Sequence, residues 1–112
     1  MPSIRDEQWD IFLFPYPAPD DPHLGVVISN NGICANPNVH SVNVLPCQTV
    51  RPPNRAKKDN EVNLDRIDGL DWKTLIKCDF VLVFRKSQAV EKRGEISPQR
   101  IAEVRKKLQE HF

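Results

Sequence analysis

The feature that most limits how this chain can fold is the breaking of its apolar residues into short runs by proline, asparagine and aspartate, with helical spacing only at the end. Trp9 to Phe14, Leu24 to Ser29, Val39 to Cys47, Leu75 to Cys78 and Phe80 to Phe84 are all of strand length. Ten prolines interrupt the 112 residues, and each lacks a ladder donor, so Pro15, Pro17, Pro19 and Pro22 are expected to stop the first strand. Leu24 to Ser29 is nearly all apolar and reads as a strand buried on both faces. Asn30, Asn31 and Gly32 then read as a turn. Val39 to Cys47 alternates, with Val42, Val44 and Pro46 on a core face and Asn43, Leu45 and Cys47 on a partly exposed one. Glu61 to Leu64 and Gly94 to Ile96 are brief strand candidates, and Asp68-Gly69 marks a turn. Ser97 is placed to cap a helix that has Pro98 at its first position. Ile101, Val104, Leu108 and Phe112 recur at three- and four-residue steps, which predicts about four helical turns with one apolar stripe. The expected fold is mainly β, a small barrel with a C-terminal helix, as one domain over residues 1–112.

Three cysteines leave an odd thiol after any pairing, which argues against a disulfide-stapled module. Cys47 and Cys78 lie in or beside strand runs and read as buried, inert thiols. Neither they nor Cys34 make ligand spacing with His23, His40 or His111, so no metal is expected. No Gly-rich phosphate cradle, HExxH, paired CxxC or GxSxG occurs, which removes support for nucleotide hydrolysis, zinc proteolysis and serine-hydrolase chemistry, and no cofactor is expected. No apolar run approaches the ~18 residues of a membrane span, and Met1 to Asp10 is acidic where a signal peptide would be basic. A soluble, cytoplasmic protein without membrane contact is the expectation.

The formal charge is only +1, but it is unevenly spread. Met1 to Asn30 carries Arg5 against Asp6, Glu7, Asp10, Asp20 and Asp21. Gln48 to Asn60 shows no periodicity and holds Arg51, Arg55, Lys57 and Lys58, a long loop whose cations can neutralise phosphates. A merely solvated loop is the alternative. On its N-terminal side Cys47, Gln48 and Thr49 end a strand, so polar side chains stand beside the cations, a combination suited to phosphodiester chemistry. His23 sits between a Pro-rich acidic loop and the second strand, where an imidazole can give or take a proton, as RNA cleavage through the 2′-hydroxyl requires. Its plainer reading is a surface ring resting on Pro22. Trp9, Phe12, Phe14 and Tyr16 offer either a stacking face for bases or core packing, and alternation favours the core. Trp72 is expected to cover one end of the barrel.

Five pieces in order resemble the MazF/PemK family of bacterial toxins: Asp10-Ile-Phe-Leu-Phe-Pro15, the Val26 to Asn30 strand end, Val44 to Thr49, Ile76 to Asp79, and Gly94 to Pro98. The resemblance implies an SH3-like β-barrel of the MazF/CcdB type with a C-terminal helix, assembled as a homodimer. It also implies a sequence-selective, metal-independent endoribonuclease acting on single-stranded RNA. In that mechanism the 2′-hydroxyl attacks phosphorus and leaves a 2′,3′-cyclic phosphate, and a cognate antitoxin blocks the groove. The chain departs from the family at several places. His23-Leu24 stands where the family has an Arg-Pro pair, Gln48 stands where it has a catalytic Thr or Ser, Trp9 replaces a Gly, and Ala18 to Pro22 replaces a Glu-Gln-x-Gly loop. The expected catalytic set is therefore His23, Gln48, Thr49 and Arg51, with Arg55, Lys57 and Lys58 on the RNA backbone. The alternative is a noncatalytic RNA- or partner-binding module that has lost the catalytic Arg and Thr.

Overall fold

A computed structural model describes residues 7–18, 20–49, 61–70 and 74–111. The strands are β1 (Asp10–Ala18), β2 (Asp21–Val27), β3 (Ser41–Thr49), β4 (Glu61–Leu64), β5 (Thr74–Lys77), β6 (Leu82–Arg85) and β7 (Glu91–Glu95), and the helices are α1 (Asn31–Ala35) and α2 (Pro98–His111). All pairings are antiparallel, in the order β4-β5-β3-β2-β1-β7, with β6 also paired to β3. The sheet curls into a half-barrel, as the mainly β reading with a terminal helix expects.

β3 organises the curl because one of its edges serves two partners. Ser41–Val44 pair with β6 and Cys47–Thr49 pair with β5, while Val44–Pro46 pair with β2 on the other edge. The Ile28 N–H donates to the Asn43 carbonyl at 2.9 Å. Counting along β3 from that bond, the Pro46 nitrogen faces the interval between β6 and β5. A proline is tolerated in this central strand because no partner there asks it for a donor.

Consecutive side chains on β1, β2 and β3 feed two cores. The first gathers Ile11, Val26, Leu45, Cys47, Val62, Leu64, Ile76 and Cys78, with Val104 of α2 over it. The second, on the opposite face, gathers Phe12, Phe14, Val27, Val42, Val44 and Phe84, with Cys34 of α1 against them. From Val44 to Cys47 both faces of β3 are therefore buried, where the alternation had suggested one partly exposed face. All three cysteines are buried and none forms a disulfide, and burial raises the Cys47 thiol far above its ordinary value, with the nearby Cys78 acting in the same direction. Cys47 and Cys78 are thus buried, as expected.

Several local expectations are corrected. β1 does not stop at Phe14 but runs on to Ala18. Its ladder to β7 ends at Leu13, and its ladder to β2 shifts register between Phe14 and Ala18, so Pro15 and Pro17 fall where no ladder bond is needed. The Asn30-Asn31-Gly32 signal opens a short helix. The Asn30 side chain accepts from the Ile33 N–H at 2.9 Å, and the Lys86 ammonium donates to the Ile33 and Asn36 carbonyls at the other end. β6 begins at Leu82, leaving Phe80 outside the strand and exposed.

α2 starts where the Ser-Pro pair predicts, since the Ile101 N–H bonds to the Ser97 carbonyl at 3.0 Å. The Ser97 hydroxyl, however, has no partner among the described residues. The buried Asp68 carboxylate instead accepts from the Ser97 N–H at 2.9 Å and from the Asp65 N–H at 3.0 Å, with Arg100 Nε 3.6 Å away. A carboxylate at a helix N-terminus meets the positive end of the dipole. Gly94 is required beside it, because a Cβ there would collide with the Asp68 carbonyl. Val104 of the predicted stripe is buried and Ile101 and Leu108 pack half-buried on the first core, while Phe112 lies outside the described residues.

Trp9 is the one non-glycine residue among those described with a positive φ, at 74°. That region is unfavourable for a side chain. The residue is held on both sides, its N–H bonding to the Val27 carbonyl at 2.7 Å and its carbonyl accepting from the Ile96 N–H at 2.9 Å. Its ring packs against the first core under the Arg105 guanidinium, 5.5 Å from the ring centroid.

Candidate functional site

The second core is not closed at the end where β1 leaves it. Phe14 stacks on Phe84 with ring centroids 4.7 Å apart, and Tyr16 meets Phe84 edge-on at 6.4 Å. Phe14 is buried and Tyr16 is 38% exposed, so the aromatic column runs from the core to the surface. Beside it lies a shallow, largely apolar groove that Gly25, Val44 and Pro46 also line, with His23 among its polar contributors. Gly25 keeps the groove open. A Cβ at that position would collide with the Val44 side chain and approach Phe14 Cδ2 to 3.0 Å.

His23 is on β2, paired with Phe14 of β1, and its ring is exposed at this groove. Among the described residues the ring is tied down on one side only. Nδ1 lies 2.8 Å from the Tyr16 carbonyl oxygen and 3.0 Å from the Asp21 carbonyl oxygen. Pro22 is exposed beside it, but these two polar contacts orient the ring and make it more than a surface histidine resting on a proline. Asp20 and Asp21 are exposed on the same hairpin.

Gln48 is exposed on β3, opposite Leu75 of β5. On its other edge β3 pairs with β2 at Val27↔Val44, Val26↔Leu45 and Gly25↔Pro46. That pairing ends at Gly25↔Pro46, so His23 and Gln48 lie two residues beyond its last pair, each on its own strand. By alternation both share the face that carries Phe14, Gly25, Val44 and Pro46. Of the remaining expected residues, Thr49 closes β3 opposite Thr74, and its side chain lies outside the description. Arg51, Arg55, Lys57 and Lys58 lie outside the described residues, as does Trp72.

Phe12 and Phe14 are core residues, as alternation favours, while Tyr16 is the aromatic that reaches the surface. Phe84 was not legible as part of the site. Only the pairing of Val42 with Phe84 across β3 and β6 brings it to Phe14. The Tyr16 and Asp21 carbonyls were equally hidden, since backbone atoms carry no sequence signal. No group of His, Cys, Asp and Glu suited to a metal ion occurs among the described residues.

A family model described as "PemK-like, MazF-like toxin of type II toxin-antitoxin system" matches residues 7–112. The chain belongs to this family of MazF/PemK toxins. Solved structures agree on the fold of this MazF/PemK chain. An endoribonuclease from a mycobacterial species superposes with a TM-score of 0.76 at 15% identity, covering 96% of this chain and 90% of that one. The toxin MazF-mt6 of Mycobacterium tuberculosis gives 0.75 at 16% identity, over 92% and 95%. A MazE-MazF structure from Deinococcus radiodurans gives 0.72 at 19% identity, over 95% and 94%. No curated protein matches by sequence. At such low identities the agreement concerns the backbone.

Proposed function

We propose that this MazF/PemK chain is an endoribonuclease that cuts single-stranded RNA without a metal, through attack of the 2′-hydroxyl on the adjacent phosphorus. The observation that supports the reading is the exposed His23 ring, oriented at the groove beside Tyr16, with Gln48 exposed two residues beyond the last β2–β3 pair. An imidazole does the proton transfer that this reaction needs, and a side-chain amide donates a hydrogen bond to a phosphate oxygen as charge builds there. Arg51 and Thr49 follow Gln48 in sequence and are assigned to the same phosphate. Arg55, Lys57 and Lys58 are assigned to the RNA backbone, whose charge several clustered cations neutralise. Tyr16, with its ring half in water, suits stacking on a neighbouring base.

The family is one of toxins of type II toxin-antitoxin systems, and a mycobacterial endoribonuclease of similar fold is solved in complex with its cognate antitoxin. We propose the same arrangement here, with a homodimer as the acting unit and the cytoplasm as its place of work. The basic segment from Arg51 to Lys58 suits an acidic antitoxin tail as well as RNA. No described helix is long and apolar enough to cross a membrane.

Two features that the resemblance implies favour the noncatalytic reading: His23 at the place of the family's arginine, and Gln48 at that of its hydroxyl residue. Incubation of purified protein with single-stranded RNA in EDTA, scored for cyclic-phosphate ends, separates the two. Cleavage that disappears in His23→Ala supports the nuclease. RNA retained intact but bound, at high protein concentration, supports the binding module.

A further inference from the structure

The two contacts of the His23 ring determine more than its orientation. Nδ1 faces two carbonyl oxygens, at 2.8 Å from Tyr16 and 3.0 Å from Asp21. A carbonyl oxygen accepts hydrogen bonds and never donates one. A ring nitrogen between two acceptors satisfies them only by carrying a proton, so the neutral ring is the Nδ1–H tautomer and its lone pair is on Nε2. We propose that the Tyr16 and Asp21 carbonyls fix this tautomer and make Nε2 the atom that receives the 2′-hydroxyl proton. The proposal rests on the nuclease reading for its chemical use, but the tautomer itself does not.

The anchor is built by the irregular part of the hairpin. β1 and β2 pair regularly up to Phe14↔His23 and meet again at Ala18↔Asp21, with a register shift between. At that shift the Tyr16 carbonyl is turned to the imidazole, while the chain reverses and brings the Asp21 carbonyl to the same nitrogen. Pro15 and Pro17 bracket Tyr16, and proline fixes φ, so the segment carrying the carbonyl is stiff. Tyr16 and Asp21 are therefore positioning residues that act through their backbone. Fixing one nitrogen by a hydrogen bond so that the other can react is a general way of preparing a histidine.

In the step that follows, the 2′-hydroxyl proton moves to Nε2, the O2′–P bond forms and the P–O5′ bond breaks. The leaving O5′ takes a proton from solvent, and the imidazolium returns its proton to solvent. While the ring is charged both nitrogens are donors, and the Nδ1–H keeps its two carbonyls throughout. No rotation of the ring is needed between turnovers.

The direct test is long-range proton–nitrogen NMR of the full chain labelled with nitrogen-15 histidine, at a pH where the rings are neutral, with His40 and His111 as internal references. A proton resident on Nδ1 of His23 supports the proposal, and a proton resident on Nε2, or exchange-averaged between the nitrogens, overturns it. A cleavage assay with methylated histidines at position 23 reads the second half. Methylation at Nε2 should lower cleavage by about 100-fold or more, whereas methylation at Nδ1 leaves an acceptor in place and should retain more activity. The reverse order overturns the assignment of Nε2. RNA left uncut by the unaltered protein would remove the nuclease reading, and the NMR result would still decide the tautomer.

Discussion

The two faces of the central sheet are built from the same three strands and end differently. The face with Ile11, Val26 and Leu45 is sealed by α2 and by β4 and β5, and its members are almost wholly inaccessible. The face with Phe12, Phe14 and Val44 is covered only in part. It opens beside Tyr16, Gly25 and His23 into a groove. The sealed face supplies stability because each of its side chains is removed from water. The open face gives up burial at its end, and that is where polar side chains and an exposed aromatic edge meet.

The sharpest way to break this contrast is a pair of substitutions, one on each side. His23→Ala on the open face should lower RNA cleavage by roughly 10²–10⁴-fold, the usual worth of a positioned acid or base, and leave the thermal midpoint nearly unchanged. A large drop in the midpoint would mean that the ring is structural. On the sealed side, Ile76→Ala should cost about 2–5 kcal/mol in urea unfolding, since the residue is 0% exposed. A cost near zero would show that this core is not close-packed.

Gly25→Val sharpens the contrast from the middle. The new side chain must push against Val44 and Phe14, so a loss of about 1–3 kcal/mol is expected together with weaker RNA binding as the groove fills. Unchanged binding in a folded variant would place RNA elsewhere.

The smallest effect concerns Asp10 at the start of β1. Burial raises its carboxyl above the usual carboxylate value, and the Lys92 ammonium, 3.4 Å away, only partly opposes this. A raised folded-state pKa means that the neutral acid is favoured in the fold. Its contribution is fully present below the ordinary value and is lost as pH rises through the raised one. Asp10→Asn, neutral at every pH, should therefore gain stability relative to the parent as pH rises through and above the ordinary carboxylate range. A parent that gains on the variant as pH rises would reverse the sign.

How far the sequence anticipates these features follows from how local each one is. The α2 stripe and the Glu61–Leu64 strand are local patterns, and both are present. The extension of β1 through Pro15 and Pro17 depends on where its neighbours stop, which one strand's composition does not reveal. The Asn30-Asn31-Gly32 signal is shared by turns and helix starts, and Lys86, 50 residues or more from the carbonyls it holds, stabilises the helix. Asp68 caps α2 from 29 residues away, so Ser97 was the only visible candidate. In the site, His23 and Gln48 were legible as reactive types placed at strand ends. Which strand ends lie side by side depends on the β2–β3 pairing, and the groove needed Phe84 from β6.

The joint action of His23 and Gln48 on one phosphate is the central claim, and a double-substitution cycle measures it most directly. Cleavage rates would be compared for the parent, His23→Ala, Gln48→Ala and the protein carrying both changes. Two groups serving one transition state give a double variant clearly less impaired than the product of the single effects. Effects that multiply independently, or a Gln48→Ala protein that cuts at the parental rate, would contradict it.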